Sequence, residues 1–247
     1  MQPAGRLLSI VVPVYNEGAS IGRLLDRIVE HLHIPFEILV VYDFDEDNTL
    51  PALREYAGPK LDVRLVKNRA RGALRAIETG LLEAKGIATV VMMADLSDDL
   101  RIVDEMFRLV EQEGYAVVCG SRYMKGGRQI GGPFIKGQIS RAVGKSLHLL
   151  TAIPTHDITN SFKMYRRDVI ERFPIESNGG FELGMELTTK AYLAGMKVCE
   201  IPSTWTDRTD GKSRFKLVRW APKYLRWYFH LLQGAVKNGS ALRGALG

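Results

Sequence analysis

The stretch Thr89-Val90-Val91-Met92-Met93-Ala94-Asp95-Leu96-Ser97-Asp98-Asp99 runs a short apolar segment straight into three carboxylates. Such a segment reads as a buried strand, and a buried strand ending in acids delivers them to the carboxyl edge of an open sheet, where α/β proteins bind ligands. Asp98 or Asp99 equally suits the cap of the helix suggested by Ile102, Val103, Met106, Phe107 and Val110. A second chemical stretch is basic. From Arg122 to His156 the chain has six Lys or Arg and no acid, with glycines at 126, 127, 131 and 132, a composition that reads as a mobile basic loop.

The elements that must position these groups alternate. Leu7–Val14 is a buried-strand pattern that runs into Tyr15-Asn16-Glu17-Gly18, and Ile21, Leu24, Leu25, Ile28, Val29 and Leu32 follow at helical spacing. Phe36–Tyr42 repeats the strand and ends in Asp43-Phe44-Asp45-Glu46-Asp47, the last three of which read as a solvated loop. Leu61–Val66 is a third strand, Leu74, Ile77, Leu81 and Leu82 mark a helix, and Tyr115–Gly120 is a strand after the central one. Asp157–Tyr165 reads as an irregular turn entering a strand, Gly179-Gly180-Phe181-Glu182 opens a helix through Ala194, and Val198–Pro202 is a short last strand. Strands alternating with helices predict an α/β fold with a mostly parallel sheet covered on both faces.

Composition sets the outer limits. The 247 residues, 46% hydrophobic and 25% charged, suffice for one large domain or a domain with an appendage. Cys119 and Cys199 each sit in an apolar run and read as packed free thiols. No apolar signal region or run of 18 apolar residues is present, which points to a cytoplasmic protein. Residues 1–114 carry a net −6 and residues 115–247 a net +12, so the second half calls for an anionic partner. Nucleic acid is excluded as that partner because no recognition motif accompanies the basic residues. The tail interleaves Arg208, Lys212, Arg214, Lys216, Arg219, Lys223 and Arg226 with Phe215, Trp220, Tyr224, Trp227, Tyr228 and Phe229, which suits an amphipathic helix on an anionic membrane surface or an interaction face, or else aromatics packed on the catalytic domain with solvated charges.

Taken together, Val12-Pro13-Val14-Tyr15-Asn16-Glu17, Tyr42-Asp43, Ala94-Asp95-Leu96-Ser97-Asp98-Asp99 and Gly120-Ser121-Arg122-Tyr123 fall in an order that resembles family 2 glycosyltransferases, most closely the dolichol-phosphate mannose synthase branch. The resemblance covers roughly residues 7–215. It implies a GT-A-type, Rossmann-like catalytic domain over 1–215 with a basic aromatic helical tail over 216–247, a nucleotide-sugar donor, and transfer with inversion. Pro13, Tyr15 and Glu17 would line the nucleoside pocket, with Tyr15 stacking on the base and Asp43 contacting base or ribose. The family's metal site is Asp-x-Asp, but its first position here is Met93. Asp95 and Ser97 would then hold Mg²⁺ or Mn²⁺ together with the diphosphate and waters, since thioether sulfur is a poor ligand for a hard cation.

Arg122 and Ser140 match phosphate-contacting residues of the synthases, and Lys136 stands where that group commonly has arginine. Arg208 and Arg214 flank Gly211-Lys212-Ser213, which resembles a basic loop closing over the donor phosphates. The resemblance thus implies a polyprenyl phosphate acceptor at the membrane face, needing no protein base because it is already ionised. A hydroxyl of a cell-surface or lipid-linked glycan is the alternative, and Glu182 is then the base, with Glu186 one turn later and Asp157 or His156 as weaker candidates. Glu182 also suits a plain helix N-terminus. A degenerate module that binds a nucleotide sugar without turnover is the reading outside catalysis.

Overall fold

The computed structural model describes residues 7–207 and 217–239. In chain order the elements are β1 (Leu8–Pro13), α1 (Ile21–His31), β2 (Phe36–Tyr42), α2 (Thr49–Arg54), β3 (Val63–Lys67), α3 (Ala73–Glu83) and β4 (Ala88–Val91). A turn of 3-10 helix, Leu100–Ile102, leads into α4 (Val103–Glu113), β5 (Val117–Ser121), β6 (Arg128–Ile130) and α5 (Phe134–Thr151). Then follow β7 (Lys163–Arg166), α6 (Arg167–Arg172), α7 (Leu183–Leu193), β8 (Val198–Pro202), β9 (Thr204–Thr206) and α8 (Leu217–Lys237).

Among the described residues seven strands form one sheet in the order β3-β2-β1-β4-β7-β5-β8, and β6 pairs with β9 in a small parallel ribbon. Every neighbouring pair in the large sheet is parallel except those of β7, which runs antiparallel to both β4 and β5. From β1 the chain winds outward to β2 and β3, then returns to place β4 on the other side of β1. That reversal opens a crevice at the carboxyl ends of β1 and β4, the place where open α/β sheets receive ligands.

Alternation along the strands feeds two cores. Leu8, Ile10 and Val12 of β1 pack with Ile21, Leu24 and Ile28 of α1 and with Val103 and Met106 of α4. Val11 points the other way, to Leu74, Ile77 and Leu81 of α3. Burying each such side chain contributes about 1.5–3 kcal/mol relative to leaving it in water. A third cluster joins Leu147 of α5, Met185 of α7, and Trp227 and Leu231 of α8, together with Ile153 and Ile158.

Two expectations change here. The stretch 122–156 is not a mobile loop: it contains β6 and the 18-residue α5. Only Gly144, Leu147 and Thr151 of α5 are buried, so the helix lacks a wide apolar stripe, and Gly137 and Gly144 lower its propensity. Packing holds it instead, and Gly144 is needed because a Cβ there would run into the His156 carbonyl. The second change concerns the tail. Trp227 is 2% exposed, its Nε1 donates to Ser177 Oγ at 3.2 Å, and Tyr228 Oη donates to Ser146 Oγ at 3.1 Å. These rings bind the body of the protein rather than standing free for an interface, while Leu225 and Phe229 remain exposed.

Candidate active site

A cleft of about 1080 Å³ occupies the crevice. Its lining includes Pro13 at the end of β1, Tyr15 and Glu17 just after it, Asp43 after β2, and Met93, Asp95, Ser97 and Asp98 after β4. Arg122, Lys136 and Ser140 line it as well, and Ile139 and Val143 of α5 with Ala221, Tyr224, Leu225 and Tyr228 of α8 add an apolar and aromatic wall. The structure therefore brings nine candidate site residues into one cleft: Pro13, Tyr15, Glu17, Asp43, Asp95, Ser97, Arg122, Lys136 and Ser140.

At the first end, backbone amides fix the acids. Asp43 accepts from Gly72 N at 2.9 Å and from Asn68 Nδ2 at 2.6 Å. Asp47, read from sequence as a solvated loop residue, is fully buried and accepts from Asn16 N at 3.0 Å and Thr49 N at 2.9 Å. Its carboxylate has a structural task, since it ties the loop after β1 to the loop after β2. Asn16 takes a left-handed φ of 56°, and Glu17 accepts the Ser20 hydroxyl at 3.1 Å. Tyr15 is half exposed and meets Phe44 edge to face at 5.4 Å, so one ring face is presented toward the cleft side of the loop.

The acidic turn after β4 is tightly held. Asp95 Oδ1 accepts from Ser97 N at 3.2 Å, and Leu96 between them has a φ of 63°, a conformation costly for a leucine. Arg27 of α1 keeps it there by donating to the Leu96 carbonyl at 2.9 Å and the Asp98 carbonyl at 3.2 Å. Asp98 accepts from Met93 N at 3.1 Å. Burial pushes its carboxyl up to about 7; the Met93 amide opposes the rise, Asp95 adds to it, and Arg122 and Arg27 oppose it. Neither Asp98 nor Asp99 caps a helix with its side chain; Asp99 is instead gripped by Arg101 at 2.8 and 3.0 Å.

This donor set bears on the cation. Among the described residues no group of three or more His, Cys, Asp or Glu side chains could hold a metal ion. Asp95 and Ser97 reach the cleft together, and Met93 contributes sulfur where a second oxygen would stand. The residues fit a Mg²⁺ or Mn²⁺ that takes most of its oxygens from a bound diphosphate and water, and do not form an all-protein cage.

Arg122 lines the cleft and is locked by Asp157, which the sequence offers only as a weaker base candidate. Asp157 accepts from Arg122 Nε at 2.7 Å, Nη2 at 2.9 Å and backbone N at 3.0 Å, and is itself fully buried. Burial pulls the guanidinium down, but Asp157 more than offsets this and Arg122 ends above its ordinary value. Arg122 Nη2 also donates to Ser140 Oγ at 3.2 Å, and Ser140 shares a short hydrogen bond with Thr159. The signal was present: Asp157 is the first acid after Glu113, at the end of a 43-residue stretch without one.

Glu182 does not line the cleft. It is 1% exposed, and its two oxygens accept from Gly179 N and Gly180 N, each at 2.6 Å. It stands at the N-cap of α7 but makes no side-chain cap bond to that helix; both of its contacts are to the glycine turn before it. Trp220 lies over Gly180, where a Cβ would meet the ring at 3.1 Å. Glu186 is likewise turned inward, accepting from Glu176 N at 2.7 Å and Ser177 N at 2.8 Å. His156 pairs with Glu200 at 2.5 Å. Arg208 and Arg214, with Gly211-Lys212-Ser213, lie outside the described residues.

Comparison with known proteins agrees with this geometry. The sequence profile of glycosyl transferase family 2 matches residues 9–173. The chain is 31% identical over 232 residues to the dolichol-phosphate mannosyltransferase of Pyrococcus furiosus, with 92% of this chain and 64% of that protein covered. It is 28% identical over 240 residues to the polyprenol monophosphomannose synthase of Mycolicibacterium smegmatis, covering 89% and 88%. The chain thus spans just under two thirds of the first relative and most of the second. In fold it resembles glucosyl-3-phosphoglycerate synthase of Mycobacterium tuberculosis, solved with Mn²⁺, UDP and glucosyl-3-phosphoglycerate: the TM-score is 0.67, at 16% identity, over 94% of this chain and 81% of that one.

Proposed function

Because this chain belongs to glycosyl transferase family 2, we propose that it moves a sugar, with inversion, from a nucleotide-sugar donor to a polyprenyl phosphate at a membrane face. The observation that carries this reading is the continuity of one cleft. One cavity is lined by the acids after β1, β2 and β4, by Arg122, Lys136 and Ser140, and by apolar and aromatic side chains of α5 and α8. A nucleotide suits the first part, a phosphate the second and a hydrocarbon chain the third. The two relatives named for dolichol phosphate and polyprenol support the same acceptor class.

In this mechanism Tyr15, Glu17 and Asp43 orient the nucleoside, and Pro13 shapes the floor beneath it. Asp95, with Ser97, holds the divalent cation, which when bound offsets the charge that builds on the departing diphosphate. Arg122, Ser140 and Lys136 aim the acceptor phosphate at the anomeric carbon. An oxygen of that phosphate forms the new bond while the bond to the nucleoside diphosphate breaks on the opposite side. The acceptor is already ionised near neutral pH, so no protein base is required, in keeping with a Glu182 committed to backbone amides. Arg208 and Arg214 remain candidates for the donor phosphates.

No helix among the described residues is long and apolar enough to cross a membrane. Ile139 of α5 and Leu225 of α8 nevertheless line the cleft while 43% and 47% exposed, and Phe134, Ile135 and Phe229 are exposed on the same two helices. Such a mouth can meet an anionic lipid surface with apolar side chains, while Lys and Arg heads reach the phosphates. The reaction itself is tested with a panel of nucleotide sugars plus either a polyprenyl phosphate or a hydroxyl-bearing glycan. Lipid-dependent release of nucleoside diphosphate is expected; release that needs the glycan, or donor binding without release, replaces this reading.

A further inference from the structure

Behind the middle of the cleft lies a charge that the mechanism does not use. Lys163, the first residue of β7, is 0% exposed. Its ammonium donates to the Ile158 carbonyl at 3.0 Å and, in a shorter contact, to the Asn160 carbonyl. Both acceptors belong to the turn that carries Asp157, the anchor of Arg122, and Thr159, the partner of Ser140. Thr159, Asn160 and Ser161 of this turn line the cleft. Asn160 Nδ2 adds a bond to the Gly120 carbonyl at 2.8 Å, so the turn is fixed to the end of β5 as well.

The charge balance is unusual. Arg122 and Asp157 are mutually compensated, and a compensated pair presents little net charge to an incoming anion. Both hydrogen bonds of Lys163 go to neutral carbonyls, so its charge is not cancelled by a direct carboxylate partner among the described residues. Burial lowers Lys163, Cys119 and Asp157 oppose this, and Arg122 adds to the lowering. An uncancelled buried cation is costly by itself, and an anion in the cleft in front of it offsets that cost.

Resting on the acceptor reading above, we propose that Lys163 is a positioning residue for the acceptor phosphate: it clamps the 157–161 turn from behind and supplies the surplus positive charge that Arg122, bound to Asp157, does not present. Lys163 touches no substrate. Its effect falls on phosphate affinity and leaves the nucleotide end of the cleft alone.

Two variants separate charge from scaffolding. Lys163→Gln keeps a donor for the carbonyls without the charge, and Lys163→Met removes both at similar length. Farnesyl phosphate serves as a soluble acceptor probe, with GDP and UDP as donor-end probes, all titrated by calorimetry on proteins checked by thermal melting. Both variants are expected to weaken farnesyl phosphate about tenfold while leaving the diphosphate affinity within about twofold. A Lys163→Gln protein with wild-type farnesyl phosphate affinity overturns the inference, and so does an equal loss for phosphate and diphosphate.

A measurement on the unaltered protein keeps the question open to refutation if neither variant folds. The ¹⁵N-labelled ammonium of Lys163 should shift on titration with farnesyl phosphate, and a signal that stays put overturns the inference. If the unaltered protein binds no farnesyl phosphate, the acceptor reading falls and takes this inference with it. If it binds and the variants bind equally, only the inference falls.

Discussion

The two ends of the cleft are built by opposite means. At the end proposed for the donor, carboxylates are held by backbone amides: Asp43 by Gly72, Asp47 by Asn16 and Thr49, Asp98 by Met93. At the end proposed for the acceptor, cations are held by acceptor oxygens: Arg122 by Asp157 and Lys163 by two carbonyls. Asp43 and Asp47 take amides from 29 and 31 positions away and Arg122 takes its carboxylate from 35 away, whereas Lys163 is held by the turn just before it. The acid-rich residues 1–114 and the basic residues 115–247 thus contribute to one groove, the first mainly carboxylates and the second Arg122 and Lys136. A donor carrying its charge with a cation and an acceptor carrying bare phosphate are suited to the two ends in turn.

The sharpest way to break this contrast is at Asp95. Asp95→Asn should lower turnover by more than about 100-fold, since cation stabilisation of a leaving diphosphate is worth several kcal/mol; an enzyme of wild-type rate would remove Asp95 from the cation site. The companion Met93→Asp should tighten Mn²⁺ binding to the nucleotide-bound protein, as read by calorimetry. Next in size is Trp227→Ala. With this side chain buried between α8 and the body, its removal should cost about 3–5 kcal/mol in chemical denaturation. A negligible change would mean that α8 is an appendage, and the acceptor end would lose its outer wall.

Arg122→Ala is expected to raise the KM for a polyprenyl phosphate roughly 10- to 100-fold, the worth of a charge-assisted contact, with the KM for the nucleotide sugar much less affected. Equal effects on both would erase the distinction between the ends. Glu182→Gln should leave kcat within about twofold while costing about 1–3 kcal/mol of stability, because one of two buried glycine amides loses its acceptor. Abolished turnover in a folded Glu182→Gln protein points to a hydroxyl acceptor. The smallest effect should come from lipid. Flotation on acidic vesicles, weakened by salt and absent on neutral ones, is expected at about 1 kcal/mol per basic side chain near the surface; indifference to lipid charge argues against the membrane face.

The same contrast explains what could be read from the residues alone. Pro13, Tyr15, Asp43 and Asp95 announce themselves because each follows an apolar strand within a few positions, and strand ends are legible from local pattern. Asp157 and Lys163 were missed as structural partners because their meaning depends on groups 35 or more positions away, or on a turn whose carbonyls face inward. α5 was missed for a related reason. It faces the cleft and solvent over most of its length, so its apolar spacing is weak, and its glycines serve close contacts rather than flexibility. Asp47 misled in the opposite sense, since a run of acids gives no hint that one of them is buried beneath a loop.

The lone antiparallel strand has a consequence for how the chain is made. β4 is complete at Val91, yet its second neighbour, β7, begins only at Lys163. During synthesis, therefore, β1 to β4 can assemble as a parallel unit with a bare edge while more than seventy further residues emerge. β5 waits as well, because both of its neighbours come later in the chain. Bare strand edges are where newly made chains pair wrongly, and closing long loops slows the remedy. The strand that joins the two halves of the groove is thus also the step on which productive assembly of the nascent chain turns.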